Sequence, residues 1–167
     1  GVARLTRMPE KPVQELVVAL AGPAVNLLFI VLFTPVLLFA LSLEGFRGLQ
    51  FGMPPLTQPG WLNFLAFLVG VNISLLVFNM LPAFPMDGGR ALRALLAMRV
   101  QYGRATAIAV AVGRVFALLF GVAGLFSGNV TLALVGMFVF FGAGAEYEEV
   151  SRRESLRGLT VSEVVDN

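Results

Sequence analysis

Asn79-Met-Leu-Pro-Ala-Phe-Pro-Met-Asp-Gly-Gly-Arg90 interrupts the hydrophobic run in which it lies. Its two prolines lack an amide hydrogen and clash with the preceding turn, so a regular helix cannot continue through them. Its aspartate, Asp87, is the only acidic residue between Glu44 and Glu146. A carboxylate at membrane depth costs about 2.5–3.5 kcal/mol on insertion scales. The stretch therefore predicts a broken helix that presents one functional carboxylate to an internal site and not to lipid.

The composition is that of a membrane protein. Hydrophobic residues make up 57% of the 167 residues, charged residues make up 13%, and the mean hydropathy is +0.85. Four apolar segments have lengths suited to crossing the bilayer, the last of them short: 13–43, 62–81, 105–127 and 130–145. We therefore expect an all-α fold, a polytopic transmembrane helical bundle of about four spans in contact with the lipid bilayer. A short amphipathic helix is expected at the membrane surface over 89–100.

The basic residues predict an orientation in the membrane. Three of them precede the first apolar segment, one lies in the Gly- and Pro-rich loop at 44–60, four lie at 90–104 and three follow residue 151. The positive-inside rule then places both termini in the cytoplasm, and we expect a multi-pass protein of a prokaryotic cytoplasmic membrane. The basic residues are not gathered on one face with aromatic residues, so no nucleic acid partner is expected. The chain has no Cys, which excludes a disulfide framework and a cysteine-based zinc site.

Three further features concern packing and polar groups inside the spans. Ala21-Gly-Pro-Ala-Val-Asn26 combines small residues, a proline and an amide, which is typical of a kinked helix packed tightly on a neighbour, with Asn26 hydrogen-bonding across the interface. In the third segment, small residues recur every four positions from Ala109 to Gly121, which predicts close approach of another helix. Arg114 lies in the same segment, and it either pairs with Asp87, snorkels, or marks a cytoplasmic end.

The pattern Asn-x-x-Pro-x-x-Pro-x-Asp-Gly-Gly, filled by residues 79–89, resembles the second signature of the site-2 protease family of intramembrane zinc metalloproteases. In that family the aspartate is the third zinc ligand, and a His-Glu-x-x-His motif on an earlier helix supplies two histidines. The resemblance implies that Asp87 ligates one zinc ion. This chain has no histidine, so we expect the other ligands to come from an upstream segment and the 167 residues to be inactive alone.

The resemblance also implies roles for the residues around Asp87. Asn79 is the candidate catalytic residue, contacting the substrate backbone or the developing oxyanion. The residues expected to bind substrate or line the site are Asn26, Pro82, Pro85, Gly88 and Gly89. The expected function is endopeptidase cleavage of transmembrane protein substrates within the bilayer.

We expect two parts in the chain. Residues 1–150 would be a partial metalloprotease core, entered through Val2–Leu5 as an edge strand or a loop. Residues 151–167 would be a cytoplasmic linker or tail, and Leu156–Asp166 resembles the lead-in to a CBS-type domain, which would bring a nucleotide as partner.

Three alternatives stay open from sequence alone. Asp87 could be a helix cap for the following residues. Broken helices with Asn and Asp near the membrane midplane also occur in transporters, although no inverted second copy of the proline stretch is present. The chain could equally belong to a catalytically dead relative that binds membrane proteins without cutting them.

Overall fold

The computed structural model describes residues 11–44 and 60–157, and each regular element within those ranges is an α-helix. The five helices are α1 (Pro12–Glu44), α2 (Trp61–Asn79), α3 (Asp87–Ala97), α4 (Tyr102–Phe126) and α5 (Val130–Arg157). The predicted all-α fold is confirmed. The predictions for Val2–Leu5, for the Gly- and Pro-rich loop at 45–59 and for residues 158–167 lie outside the described residues.

Four of these helices are long and apolar enough to cross a membrane. They are α1 from Pro12 to Leu43, α2, α4, and α5 from Val130 to Arg152. Their outward faces expose many large apolar side chains, which suits contact with lipid hydrocarbon. The protein is therefore an integral, multi-pass membrane protein. The fourth span runs past its predicted end at Ala145, because the change to charged residues there brings no proline or glycine that would stop the helix.

The chain divides into two compact units, 1–20 with 81–167, and 21–80. In the second unit, Ala40 and Leu41 of α1 form a buried cluster with Leu62 of α2. Asn72 of α2 is also buried, and its side-chain amide donates a hydrogen bond of 2.8 Å to the carbonyl of Leu68 one turn earlier. This buried amide is therefore satisfied within its own helix.

In the first unit, α4 and α5 pack along each other after a short turn in which Gly128 has a φ of 65°. Asn129 caps α5, because its side-chain oxygen accepts a hydrogen bond of 3.1 Å from the amide of Leu132. The small residues of α4 meet α5 closely: a Cβ added to Gly136 would lie 2.6 Å from the amide nitrogen of Gly121. The close helix approach predicted for the third segment is confirmed.

The short helix α3 packs against α4 and begins at Asp87, two residues before its predicted start. Its buried positions are Gly88, Gly89, Ala91, Arg93 and Ala94. Among the basic residues on and just after this helix, Arg93 is buried and Arg99 is exposed. The helix thus places one arginine in the interior of the unit.

Candidate functional site

Asp87 is the first residue of α3, directly after the extended N-cap residue Met86 (φ −72°, ψ 160°). Its side chain is half-buried. No side-chain hydrogen bond caps the helix, and within the described part of the chain the carboxylate has no hydrogen bond or ion pair. The alternative of Asp87 as a helix cap is therefore wrong. Among the described residues, the carboxylate is therefore available to another ligand.

Residues 81–86, here called the proline segment, connect the two helices on either side of the break. Helix α2 ends at Asn79, and the amide of Met80 bonds to the carbonyl of Leu76 at 3.0 Å. The proline segment is a succession of turns closed by the hydrogen bonds Ala83 N to Leu81 O (2.7 Å) and Met86 N to Ala83 O (3.0 Å). The Phe84–Pro85 peptide bond is cis. The segment ends at Met86, directly before Asp87.

The proline segment lies tightly against the helices of its own unit. A Cβ added to Gly89 of α3 would come within 2.6 Å of the carbonyl carbon of Ala83. A Cβ added to Gly142 of α5 would come within 2.6 Å of Cδ of Pro85. Real Cβ atoms are not found this close to other heavy atoms, so both positions require glycine. Gly89, predicted to line the site, therefore allows the backbone of the proline segment to lie directly against α3.

Phe84 anchors the same segment from inside. Its side chain is fully buried, and it packs in a cluster with Ala109 and Val110 of α4 and Ala143 of α5. Pro82 is half-buried and Pro85 is exposed. The segment thus combines a buried aromatic anchor with a proline on the surface of the unit.

The other predicted site residues divide between the two units. Pro82, Pro85, Asp87, Gly88 and Gly89 belong to the unit that contains 81–167. Asn26 of α1 and Asn79 at the end of α2 belong to the unit 21–80, and both are partly buried within it. The roles of Asn26 and Asn79 beside Asp87 stay predictions.

Arg114 is exposed in the middle of α4, and its guanidinium carbon lies 5.7 Å from the ring centroid of Phe140 in α5. No ion pair joins it to Asp87 within the described ranges. Helix α4 extends on both sides of Arg114, from Tyr102 to Phe126, and the alternatives that this arginine snorkels or marks the cytoplasmic end of the span stay predictions. Its contact is a cation–π contact with the neighbouring helix.

Sequence reasoning did not find a buried charged cluster formed by Arg93, Glu15 and Glu146. Nε and Nη2 of Arg93 donate to Oε1 of Glu15 at 2.7 and 2.5 Å, and Nη1 donates to Oε1 of Glu146 at 2.5 Å. The side chains of Arg93 and Glu15 are each 3% exposed, whereas that of Glu146 is 32% exposed. The available signal was Glu15 itself, a lone acid in an apolar segment, since such an acid requires a partner.

The guanidinium of Arg93 also lies over two aromatic rings. Its central carbon is 5.0 Å from the ring centroid of Phe84 and 5.2 Å from that of Tyr102. Burial lowers the pKa of Arg93, but Glu15, followed by Tyr102 and Glu146, raises it by more, so the pKa lies above its ordinary value. Arg93 therefore stays positively charged.

The described residues do not make a complete metal site. No group of three or more His, Cys, Asp or Glu side chains among them could hold a metal ion. A single carboxylate without a partner among the described residues fits one position of a zinc shell, whose ligands in proteins include Asp oxygen beside His nitrogen. Asp87 is thus a candidate for one ligand of a shell that other residues would complete.

The chain is similar to proteins that are named as zinc metalloproteases or putative zinc metalloproteases. It is 34% identical over 166 residues to zinc metalloprotease MJ0392 of Methanocaldococcus jannaschii, covering 99% of this chain and 44% of that protein. It is 33% identical over 178 residues to Rip3 of Mycobacterium tuberculosis, covering 99% of this chain and 41% of that protein. The chain therefore spans less than half the length of these relatives.

A solved structure and a family model agree with these similarities. The structure of the site-2 protease from Methanocaldococcus jannaschii matches with a TM-score of 0.57 and 36% identity, covering 80% of this chain and 55% of that one. The family model of peptidase family M50 matches residues 1–120. The chain belongs to peptidase family M50, and the predicted membership of the site-2 protease family is confirmed.

Proposed function

We propose that this chain is part of an intramembrane zinc endopeptidase, in which Asp87 supplies one of the metal ligands. The observation that carries the proposal is the state of Asp87: a half-buried carboxylate, free of hydrogen bonds and ion pairs within the described residues, in a chain of peptidase family M50. An acid in an apolar chain requires some compensation for its charge, and a divalent cation provides it. The remaining ligands would be histidines from outside this sequence, which contains none.

Each residue of the proline stretch has a proposed task in this reaction. When bound, zinc supplies a water of pKa about 7 and polarises the scissile carbonyl. Asp87 holds the metal, and Asn79 donates its side-chain amide to the substrate backbone or to the developing oxyanion. The backbone of Pro82, Pro85, Gly88 and Gly89 is proposed to line the path of the substrate, and Asn26 is proposed to bind substrate. Backbone carbonyl groups that the turns of the proline segment leave unpaired would bind an extended substrate strand.

The substrate class follows from the membrane setting. A site on a chain with four apolar spans is reached most directly by another transmembrane segment, so we propose transmembrane proteins as substrates. The distribution of Lys and Arg supports an orientation with both termini in the cytoplasm, and we propose a prokaryotic cytoplasmic membrane as the location. Residues 1–150 would form part of the protease core. Residues 151–167, of which those up to Arg157 continue α5, would lead to a CBS-type domain and its nucleotide.

The zinc content of the full-length protein tests the metal-ligand assignment. We expect stoichiometric zinc in the wild type and a large loss of zinc in Asp87→Ala. Glu148→Ala is the matched control, because Glu148 is an exposed acid of α5 and its loss should leave the zinc content unchanged. Equal zinc in the wild type and in Asp87→Ala would contradict the proposal.

The role of Asn79 requires a separate experiment, cleavage of a transmembrane reporter by the full-length enzyme. Loss of an oxyanion donor typically lowers kcat by about 10²–10³-fold, so Asn79→Ala should show a loss of this size with its zinc retained. Gln101→Ala is the control, since Gln101 is an exposed amide that makes no side-chain cap on α4. Unchanged cleavage by Asn79→Ala would remove Asn79 from the catalytic residues.

Of the two alternative functions, membership of a peptidase family sets the transporter aside. The same zinc measurement distinguishes a catalytically dead relative from an active endopeptidase. A full-length protein that lacks zinc and does not cleave, although it is folded, would favour that alternative over the endopeptidase.

A further inference from the structure

Four elements of one compact unit meet at the guanidinium of Arg93. The first turns of α1 contribute Glu15 and α5 contributes Glu146. The proline segment contributes Phe84, and the start of α4 contributes Tyr102. The two ion pairs join helices, whereas the contact with Phe84 reaches the segment that leads to Asp87. One buried arginine therefore connects the helical frame to the candidate metal ligand.

Arg93 does not reach Asp87 directly. The two residues are six positions apart on α3, which corresponds to about 9 Å along the axis and to different faces of the helix. Phe84, in contrast, is three residues before Asp87, and its ring is 5.0 Å from the Arg93 guanidinium. The side-chain contact between Arg93 and Phe84 therefore links Arg93 to the proline segment that precedes Asp87.

The geometry at Arg93 requires a guanidinium. Two of its nitrogens bond to Glu15 and a third bonds to Glu146, while the planar group lies over the rings of Phe84 and Tyr102. A lysine carries the same charge but has a single nitrogen, so it cannot make the bidentate contact with Glu15 and the bond to Glu146 together with the contact to both rings. Phe84→Leu separates the two functions of Arg93, because it removes the ring and leaves the ion pairs in place.

We propose that Arg93 is a positioning residue for the metal ligand: by fixing Phe84 against α3, α4 and α5, it holds the proline segment so that the Asp87 carboxylate faces the metal. This inference rests on the proposed role of Asp87 as a zinc ligand. Groups outside the ligand shell that orient a metal ligand typically change metal affinity by about 10–100-fold when they are removed. A purely structural ion pair between helices would not have this effect on zinc.

The test is the apparent zinc affinity of the full-length protein, measured by competition with a chromophoric chelator. Arg93→Lys should bind zinc about tenfold more weakly than the wild type. It should also lower the thermal midpoint of the zinc-free protein, because the bidentate contact with Glu15 is lost. Phe84→Leu, which leaves both ion pairs in place, should weaken zinc binding in the same way. Both changes act through the contact between Arg93 and Phe84. The double variant should therefore bind zinc about as weakly as whichever single variant has the lower zinc affinity. Arg99→Lys, an exposed arginine just beyond α3, is the matched control and should bind zinc normally.

Each outcome decides between specific claims. If Arg93→Lys binds zinc like the wild type while Asp87→Ala loses it, the positioning role is wrong and the metal-ligand proposal stands. If Asp87→Ala retains zinc, the metal-ligand proposal fails, and the positioning role fails with it. If Arg93→Lys does not fold, Phe84→Leu decides the matter: weaker zinc binding supports the positioning role, and unchanged binding overturns it.

Discussion

Glu15 and Asp87 are two carboxylates of the same compact unit, and their charges are balanced in different ways. Glu15 has a side chain that is 3% exposed, and it accepts two hydrogen bonds from Arg93. Asp87 is half-buried, and among the described residues no cation or hydrogen-bond donor meets it. The chain has only ten acidic residues in 167, so a carboxylate in an apolar part of it requires an explanation.

The difference separates a structural acid from a functional one. A buried carboxylate whose charge is compensated within the fold contributes to holding helices together. A carboxylate without a partner in the fold is available to an external cation. Substitutions at and around Glu15 and Asp87 should therefore have different effects on stability and on zinc binding.

Asp87→Asn keeps the size of the side chain and removes its charge. In the full-length protein we expect zinc binding to weaken by more than about 100-fold, because a direct ligand matters more than the groups that orient it. Cleavage of a transmembrane reporter should fall to background. The thermal midpoint of the zinc-free protein should stay close to that of the wild type, since no described partner is lost. An Asp87→Asn protein that still cleaves would abolish the distinction from Glu15.

Glu15→Ala should show the opposite behaviour, with lower stability. Breaking a buried ion pair costs about 3–5 kcal/mol, and we expect about 3 kcal/mol because Glu146 still balances part of the Arg93 charge. The free energy of unfolding in detergent micelles measures this change. Destabilisation below about 1 kcal/mol would show that the Glu15–Arg93 pair contributes little.

Gly142→Ala and Gly144→Ala form a matched pair two residues apart on α5. A Cβ at Gly142 would lie 2.6 Å from Cδ of Pro85, whereas a Cβ at Gly144 would meet no atom within 4 Å. We expect Gly142→Ala to destabilise the protein by about 1–3 kcal/mol through overpacking. Gly144→Ala should be neutral or stabilising by up to about 1 kcal/mol, because alanine favours the helix. Equal effects of the two changes in thermal unfolding would argue against the close contact of Pro85 with α5.

Glu146→Ala should have the smallest effect. Its side chain is 32% exposed, and partly solvated ion pairs contribute about 1 kcal/mol or less. The same unfolding measurement should therefore rank Glu15→Ala well above Glu146→Ala. The reverse order would mean that exposure does not decide the strength of these two pairs.

The fold was largely predictable, because long apolar segments have few structures available to them in a membrane. The predicted spans 13–43, 62–81 and 105–127 agree with the helices within three residues at each end. The fourth span was predicted too short, since apolar composition ends at Ala145 but the helix does not.

The candidate site was predictable only where local chemistry defines it. The prolines and the lone acid pointed to Asp87, and the resemblance to the site-2 protease signature named its role. The Arg93 cluster was missed because its members are far apart in sequence: 78 residues separate Arg93 from Glu15 and 53 separate it from Glu146. The arginine was assigned to an amphipathic helix at the membrane surface, and no local pattern distinguishes it from Arg90 or Arg99.

The most direct measurement is zinc K-edge X-ray absorption on the full-length Asp87→Cys variant and the wild type. This chain contains no cysteine, so the substitution adds a new sulfur atom at the position in question. If residue 87 ligates zinc, we expect the variant to gain a Zn–S distance of about 2.3 Å in place of a Zn–O distance of about 2.0–2.2 Å. A variant that binds zinc fully, with a spectrum identical to that of the wild type, would show that residue 87 does not ligate the metal.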